Sequence, residues 1–339
     1  MGCSIVTAGV SAGRESRQAL IRRATIWTPT EVATKDLRRG PDEAKGFAPE
    51  EVVPCEYVNQ PMSGRSPKFA CRIGANDVVK VKFGGSNGEV YGEVAATRLL
   101  WALGFPADRM YPVKVVCHGC PGWVAGVQRS DGDRLIDPAT IERKYPGHEI
   151  TDGGIGWSWS ELDEVSEEAG GAPRAHRDAL KLLAVLLQHT DNKPAQQRLV
   201  CLDGHDGRSD CVRPLMMIND LGLTFGRASR TNANLTSSAN LEGWSRTPVW
   251  KAEAGCVGNL PHSLTGSLAD PAISEDGRRF LADLLQQLTD RQLHDLFDVA
   301  RITLRPRLPE RGTSGFPRPE EWVDAFKQKR AQIVNRRCA

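Results

Sequence analysis

Four sets of residues in this 339-residue chain have the types and spacing for chemistry on a charged substrate. In VVKVKF, Lys80 and Lys82 alternate with Val79, Val81 and Phe83, so a β-strand here turns both ammonium groups to one face. In the next segment Glu89 and Glu93 are four apart and share a helix face. A lysine held by a helix carboxylate is one way to fix a positive charge on nucleotide phosphates. Further along, HTDNKPAQQ puts Asp191 beside Lys193, where a carboxylate can accept a proton from an attacking hydroxyl. In MMINDLGLTFG, Asp220 ends an apolar run just before Gly222, a setting for a metal-binding carboxylate. Taken singly, each has a plainer reading as an amphipathic edge strand, a solvated helix face, a cap or a turn. It is the ordered set that carries the inference.

Positioning these groups requires particular elements. EVVPCEYV, SGRSPKFACRIG and NDVVKVKFGG read as three strands, punctuated by Gly64 and Pro67 and then by Gly74 to Asp77. A helix of about 15 residues follows in NGEVYGEVAATRLLWALGF, with Asn87 as cap, Val90, Val94, Thr97 and Trp101 as its apolar stripe, and Gly104 as its stop. MYPVKVVC is a further strand and TIERKY an edge or linker strand. Residues 146–172 are Gly-rich and irregular around Trp157 and Trp159, which read as packing residues. In HRDALKLLAVLLQ, Leu180, Leu183, Ala184 and Leu187 mark an amphipathic helix that Pro194 stops. QRLVCL and RPLMMIND form a hairpin, 227–274 is polar with little periodicity, and helices return at 275–288, 290–301 and 319–334. Residues 1–50, polar and broken by Pro29, Pro41 and Pro49, read as a loosely packed arm. The whole is an α+β chain.

Composition narrows the classes. With 44 Lys+Arg against 42 Asp+Glu the net charge is +2, so no global field draws the chain to nucleic acid or anionic lipid. No run of 18 apolar residues is present, which excludes a membrane-spanning helix. Only 12 of the cations are lysines, so each lysine is informative. Nine cysteines allow four disulfides or a set of reduced thiols. Cys55 and Cys71 flank a hairpin, Cys117 and Cys120 form CHGC, and Cys201 and Cys211 flank a polar turn, all within reach of a bridge. CHGC is also half of a zinc ligand set, without a second half in the chain. The first residues lack the pattern of a signal peptide, which points to the cytoplasm, whereas the cysteine placement points outside it.

The order of strand lysine, helix glutamate, loop aspartate after a long helix, hairpin and Asp-Leu-Gly resembles the protein kinase-like superfamily over roughly residues 52–300, especially the HipA-type kinases, type II phosphatidylinositol 4-kinases and secreted casein-kinase-like enzymes. SGRSPKF is similar to the short Gly/Ser/Lys turn of the HipA branch, EVAATRLLWALGF to its glutamate-bearing helix, DNKPAQQ to a catalytic loop, and DLG to the metal site.

The resemblance implies a bilobal fold: an arm over 1–50, a small β-rich N-lobe with one helix over 51–145, and a larger, mainly helical C-lobe over 146–339. It implies ATP and Mg²⁺ or Mn²⁺ as cofactors, with the γ-phosphate passing to a hydroxyl on a protein, lipid or small molecule. Lys80 would contact the phosphates and pair with Glu93, a better candidate than Glu89, with Lys82 as the alternative lysine. Ser63, Gly64, Ser66 and Lys68 would cover the phosphates, and the strand with Glu142 and Lys144 would read adenine through its backbone. Asp191 would serve as the base and Asp220 as metal ligand. Gln196 stands where kinases place a second metal-binding Asn, and no GxGxxG or APE-like end is present. His189 either braces Asp191 or is an ordinary helix-end histidine. The alternatives are a pseudokinase and a disulfide-stapled extracytoplasmic binding module.

Overall fold

The structure, a computed structural model, describes residues 16–41, 45–150, 156–203, 211–308 and 314–338. Residues 16–41 belong to the core. Helix α1 (Arg17–Arg22) is capped by the Ser16 hydroxyl and buries Leu20 and Ile21. Ala24, Ile26, Val32 and Leu37 follow it inside. Polar side chains then fasten the segment: Trp27 Nε1 donates to the Leu103 carbonyl (2.7 Å), and the Gln292 amide donates to the carbonyls of Val32 and Lys35. The expected loose arm is therefore corrected for residues 16–41. A few apolar side chains spaced among arginines are enough to dock it.

Strands β1 (Val52–Val58), β2 (Lys68–Gly74) and β3 (Asp77–Phe83) form the expected antiparallel run. Helix α2 (Glu89–Leu103) follows, then β4 (Arg109–His118), the short β5 (Val127–Gln128) and β6 (Arg134–Arg143). β4 pairs parallel with β1 and antiparallel with β6, and β6 also pairs antiparallel with β3. That last pairing closes a five-stranded barrel, with β5 added to β6 outside the ring. Thr140 to Glu142 of the TIERKY segment are thus no edge, since there β6 is bonded to β3 on one side and β4 on the other. Val79, Val81 and Phe83 turn into the barrel core with Phe69, Tyr111, Val113 and Ile141. By alternation, Lys80 and Lys82 turn out of it.

α2 is buried on almost every side, Trp101 alone excepted, rather than along one stripe. Gly88 occupies the cap position, and the Asn87 side chain accepts the Glu89 N–H at 3.2 Å. Gly104, left-handed at φ 83°, ends the helix where a side chain would meet the Thr28 carbonyl.

The rest is mainly helical. After β7 (His148–Glu149) come α3 (Trp159–Leu162) and α4 (Arg174–Leu187), then β8 (Gln197–Cys201) and β9 (Pro214–Ile218), which complete a second, three-stranded antiparallel sheet. The aperiodic stretch holds α5 (Asn234–Ser237) and α6 (Leu241–Arg246), and α7 (Glu275–Gln286), α8 (Asp290–Val299) and α9 (Pro319–Val334) close the chain. α7 packs on α4, and α9 on α7 and α8. Phe225, Trp244, Phe297, Trp322 and Phe326 form an aromatic cluster between them. Trp157 and Trp159 are buried, as expected of packing residues.

Four disulfides join Cys55 to Cys71, Cys117 to Cys120, Cys201 to Cys211 and Cys256 to Cys338, with Cα separations of 5.7, 5.8, 5.6 and 5.4 Å. The first three match the expected pairs, and CHGC is a bridge rather than half of a zinc site. Among the described residues no helix is long and apolar enough to cross a membrane.

Candidate functional site

Beside the barrel, the Lys82 ammonium is enclosed by three carboxylates: Glu93 at 2.7 Å, Glu89 at 3.0 Å and Asp220 at 3.5 Å. Three segments bring them together. β3 aims Lys82 outward, the first two turns of α2 present both glutamates, and Asp220 follows the end of β9. Gly222 makes room for this, because a side chain there would lie 2.8 Å from the Glu89 carboxylate carbon.

Lys82, and not Lys80, is therefore the partner of Glu93. Lys80 lies two residues, about 6.7 Å, back along the strand, opposite Glu142 in the β3–β6 register, and its ammonium pairs with that carboxylate. Glu89 shares Lys82 with Glu93 instead of standing aside. Lys68 reaches the same region: it faces Lys82 across the β2–β3 ladder, and its ammonium sits beneath Gly64, which is left-handed at φ 88°. Ser63 and Gly64 are exposed and Ser66 half-buried in that turn. Lys144 is exposed beyond the end of β6. Next to it, the Tyr145 N–H donates to Asp108 (2.7 Å), which also accepts from the Arg198 guanidinium and so ties the chain after β6 to β8.

Electrostatics sort the cluster. Burial opposes a charge on Lys82, yet the facing carboxylates hold its ammonium well above the ordinary lysine range. Burial pushes the Glu93 carboxyl up to about 8, against the Lys82 ammonium and with the Asp220 charge adding to the rise. Asp220 goes the other way: burial is outweighed by Lys82, Lys80 and the Gly222 N–H (2.9 Å), which keep it ionised well below the usual carboxylate range. Burial lowers Lys68, with Lys82 adding to the effect.

Asp191 stands in a second group. Lys193 Nζ donates to its two carboxylate oxygens at 2.9 and 3.0 Å, and the Gln196 amide donates at 2.8 Å. Burial raises Asp191, but hydrogen bonds from Thr265, Gln196 and Lys193 more than offset it, so it is held below the usual range. The side-chain nitrogen of Gln196 thus faces Asp191. Its main-chain carbonyl accepts from the N–H groups of Asn219 (2.7 Å) and Asp220 (3.3 Å), which joins the two groups. His189 is fully buried near both aspartates, but neither ring nitrogen has a hydrogen-bond partner among the described residues, so it does not brace Asp191.

The carboxylate oxygens of Glu89, Glu93 and Asp220 all lie within 4.8 Å of one another. Oxygen donors of this kind suit a divalent cation such as Mg²⁺ or Mn²⁺, and Asp220 and Glu89 are the two that could hold one, because burial favours the neutral form of Glu93. Thr265, Asn232 and Asn234 had no signal in the sequence, because they fall in its aperiodic stretch; Glu89 had one, its four-residue spacing from Glu93.

No protein-family model matches the chain, and no curated protein matches it. Among solved structures it is similar to the Helicobacter pylori proinflammatory kinase CtkA, with 11% sequence identity, a TM-score of 0.45, and coverage of 85% of this chain and 96% of that one.

Proposed function

We propose that this chain is an ATP-dependent phosphotransferase of bilobal, protein kinase-like organisation, passing the γ-phosphate to a hydroxyl acceptor. The observation that carries this reading is the convergence of two helix glutamates and the aspartate just past β9 on the ammonium of the strand lysine Lys82. Phosphoryl transfer asks little covalent chemistry of a protein; it asks for a cationic clamp, a held metal and an oriented hydroxyl. In this reading residues 51–145 form the nucleotide clamp and 146–339 the lobe that carries Asp191 and Asp220, with 16–41 packed against the helical side.

Lys82 supplies the phosphate contact, with Lys68 and the 63–66 turn above it. Asp220, with Glu89 beside it, would hold Mg²⁺ or Mn²⁺, whose chemistry there would be to neutralise charge on the phosphates. Asp191, kept ionised by Thr265, Gln196 and Lys193, orients the acceptor hydroxyl and takes its proton. Lys80 is given no phosphate contact, because Glu142 engages it. The four disulfides support an oxidising, extracytoplasmic compartment.

A second reading, nucleotide binding without transfer, is favoured by one observation. Gln196, at the position of the second metal-binding amide, turns its nitrogen to Asp191.

Thermal unfolding with MnATP tests both. Ligand at 100 times Kd should stabilise the wild type by about 2.7 kcal/mol, and Asp220→Ala should abolish the gain. No shift in the wild type would sink both readings. A shift without turnover across metals and acceptors would leave the second.

A further inference from the structure

The turn after the Asp-Leu-Gly segment touches both groups of the site through two asparagines that are two residues apart. Asn232, left-handed at φ 50°, directs its amide nitrogen at the Thr190 carbonyl (3.2 Å), the Ser263 hydroxyl (3.2 Å) and the Thr265 hydroxyl. Thr190 is the residue before Asp191, and Thr265 hydrogen-bonds the Asp191 carboxylate. Asn234 faces the other way. Its amide nitrogen donates to Asn87 Oδ1 (2.9 Å) and Glu89 Oε1 (3.3 Å), and its Oδ1 accepts the Gly88 N–H (2.8 Å). The turn is itself anchored, since the Ser238 hydroxyl donates to the Gly222 carbonyl (2.5 Å). Gly88 permits the close approach: a side chain there would lie 2.6 Å from the Ser238 carbonyl oxygen.

We propose that Asn232 and Asn234 are positioning residues, one setting the Asp191 loop and the other the Glu89 carboxylate on Lys82, so that a single turn keeps the two groups in register. The proposal rests on the phosphotransferase reading for its effect on rate. Its structural half stands apart from that reading. Glu89 Oε2 meets Lys82 while Oε1 meets Asn234, so the carboxylate is held from both ends. Without Asn234 it keeps one contact and gains freedom to rotate. Misplacement of a positioned group by an ångström costs on the order of 100-fold in rate.

The test uses the full chain with MnATP as probe and reads ATP turnover, the MnATP-induced rise in Tm, and amide exchange over residues 86–92. Asn232→Ala should lower kcat on the order of 10–100-fold with KM and the Tm rise unchanged, because it loosens only the Asp191 side. Asn234→Ala should lower kcat, weaken the Tm rise and speed exchange at 86–92. Asn234→Asp separates orientation from capping. It retains an acceptor for the Gly88 N–H but sets a carboxylate against Glu89, so it should lose at least as much turnover as Asn234→Ala. Wild-type turnover in Asn234→Asp would reduce Asn234 to a cap and overturn its assigned role, and wild-type kcat in Asn232→Ala would do the same for Asn232. Should the wild type neither bind nor turn over MnATP, the phosphotransferase reading falls. The brace is then decided by exchange: faster exchange at 86–92 in Asn234→Asp supports it, and unchanged exchange overturns it.

Discussion

Lys82 is a single buried cation facing three carboxylates, and removing it would leave all three without their nearest counter-charge. Lys82→Met should therefore destabilise the protein by about 3–5 kcal/mol. Lys80→Met takes the ion-pair partner from Glu142 and only a secondary attraction from Asp220, and with the Lys80 side chain 24% exposed, water can reach the gap; a loss of about 1–3 kcal/mol is expected. Urea unfolding of the two variants gives the comparison, and equal losses would contradict the ranking. The strand alternation that turns both lysines to one face was legible in the sequence. Their order was not, because it depends on which lysine the β3–β6 register sets opposite Glu142. His189 supplies a pH dependence. Burial holds its ring down at about 4 against an ordinary 6.5, with Asp191 and Asp220 opposing the fall. Below pH 6.5 the unfolded chain takes up a proton that the folded ring refuses, so stability drops as pH falls from 6.5 towards 4, by about 3 kcal/mol in all. His189→Gln should flatten the urea-measured loss between pH 7 and pH 4.5; an unaltered slope would clear His189 of that role.

Helix α2 carries Glu89 and Glu93, and its position is set from several sides at once. Its N-terminus meets the 234–238 turn, and its far side meets the N-terminal segment and α8. Arg98 makes the second contact, donating from Nη1 to the carbonyls of Leu37 (2.9 Å) and Arg38 (3.0 Å), with Gly40 so close that a side chain there would lie 2.1 Å from the same nitrogen. Arg98→Ala should orphan both carbonyls and open a void, at a cost of about 3 kcal/mol. It should also speed amide exchange in residues 36–40 and in the last turns of α2; a change confined to the substituted residue would show that the N-terminal segment docks without it. The helix itself was legible from its cap and stop glycine, but its single apolar stripe was not the whole of its burial. A stripe describes a helix with one partner, whereas this one has partners nearly all round. The 227–274 stretch hid its contribution for the opposite reason: helices of 4 and 6 residues show no periodicity, and side-chain hydrogen bonds from Asn234 to Asn87 and from Trp244 to the Leu186 carbonyl tie them to distant segments.

Across the whole molecule, the α+β class followed from the alternation of short apolar runs and helical stripes, while barrel closure did not, since β6 looks like an edge strand until both its neighbours are known. The cysteines show the same division. Bridges spanning 16, 3 and 10 residues lie beside turns that the sequence marks, but the fourth spans 82 residues and joins two segments with no shared signal. That long span gives it the most leverage. Closing a loop of 82 residues removes unfolded-chain entropy worth about 4.5 kcal/mol, against about 1.6 kcal/mol for a loop of three. The Cys256–Cys338 bridge also fastens the chain just past α9, where the Cys338 N–H donates to Glu275 at the start of α7 (2.8 Å). Replacing both cysteines, Cys256→Ser with Cys338→Ser, should therefore cost nearly three times as much stability in urea as Cys117→Ser with Cys120→Ser, and the oxidised wild type should expose at most one of its nine cysteines to alkylation after denaturation. Equal losses would mean that the unfolded chain already keeps these segments together, since only a preformed contact removes the advantage of the longer loop.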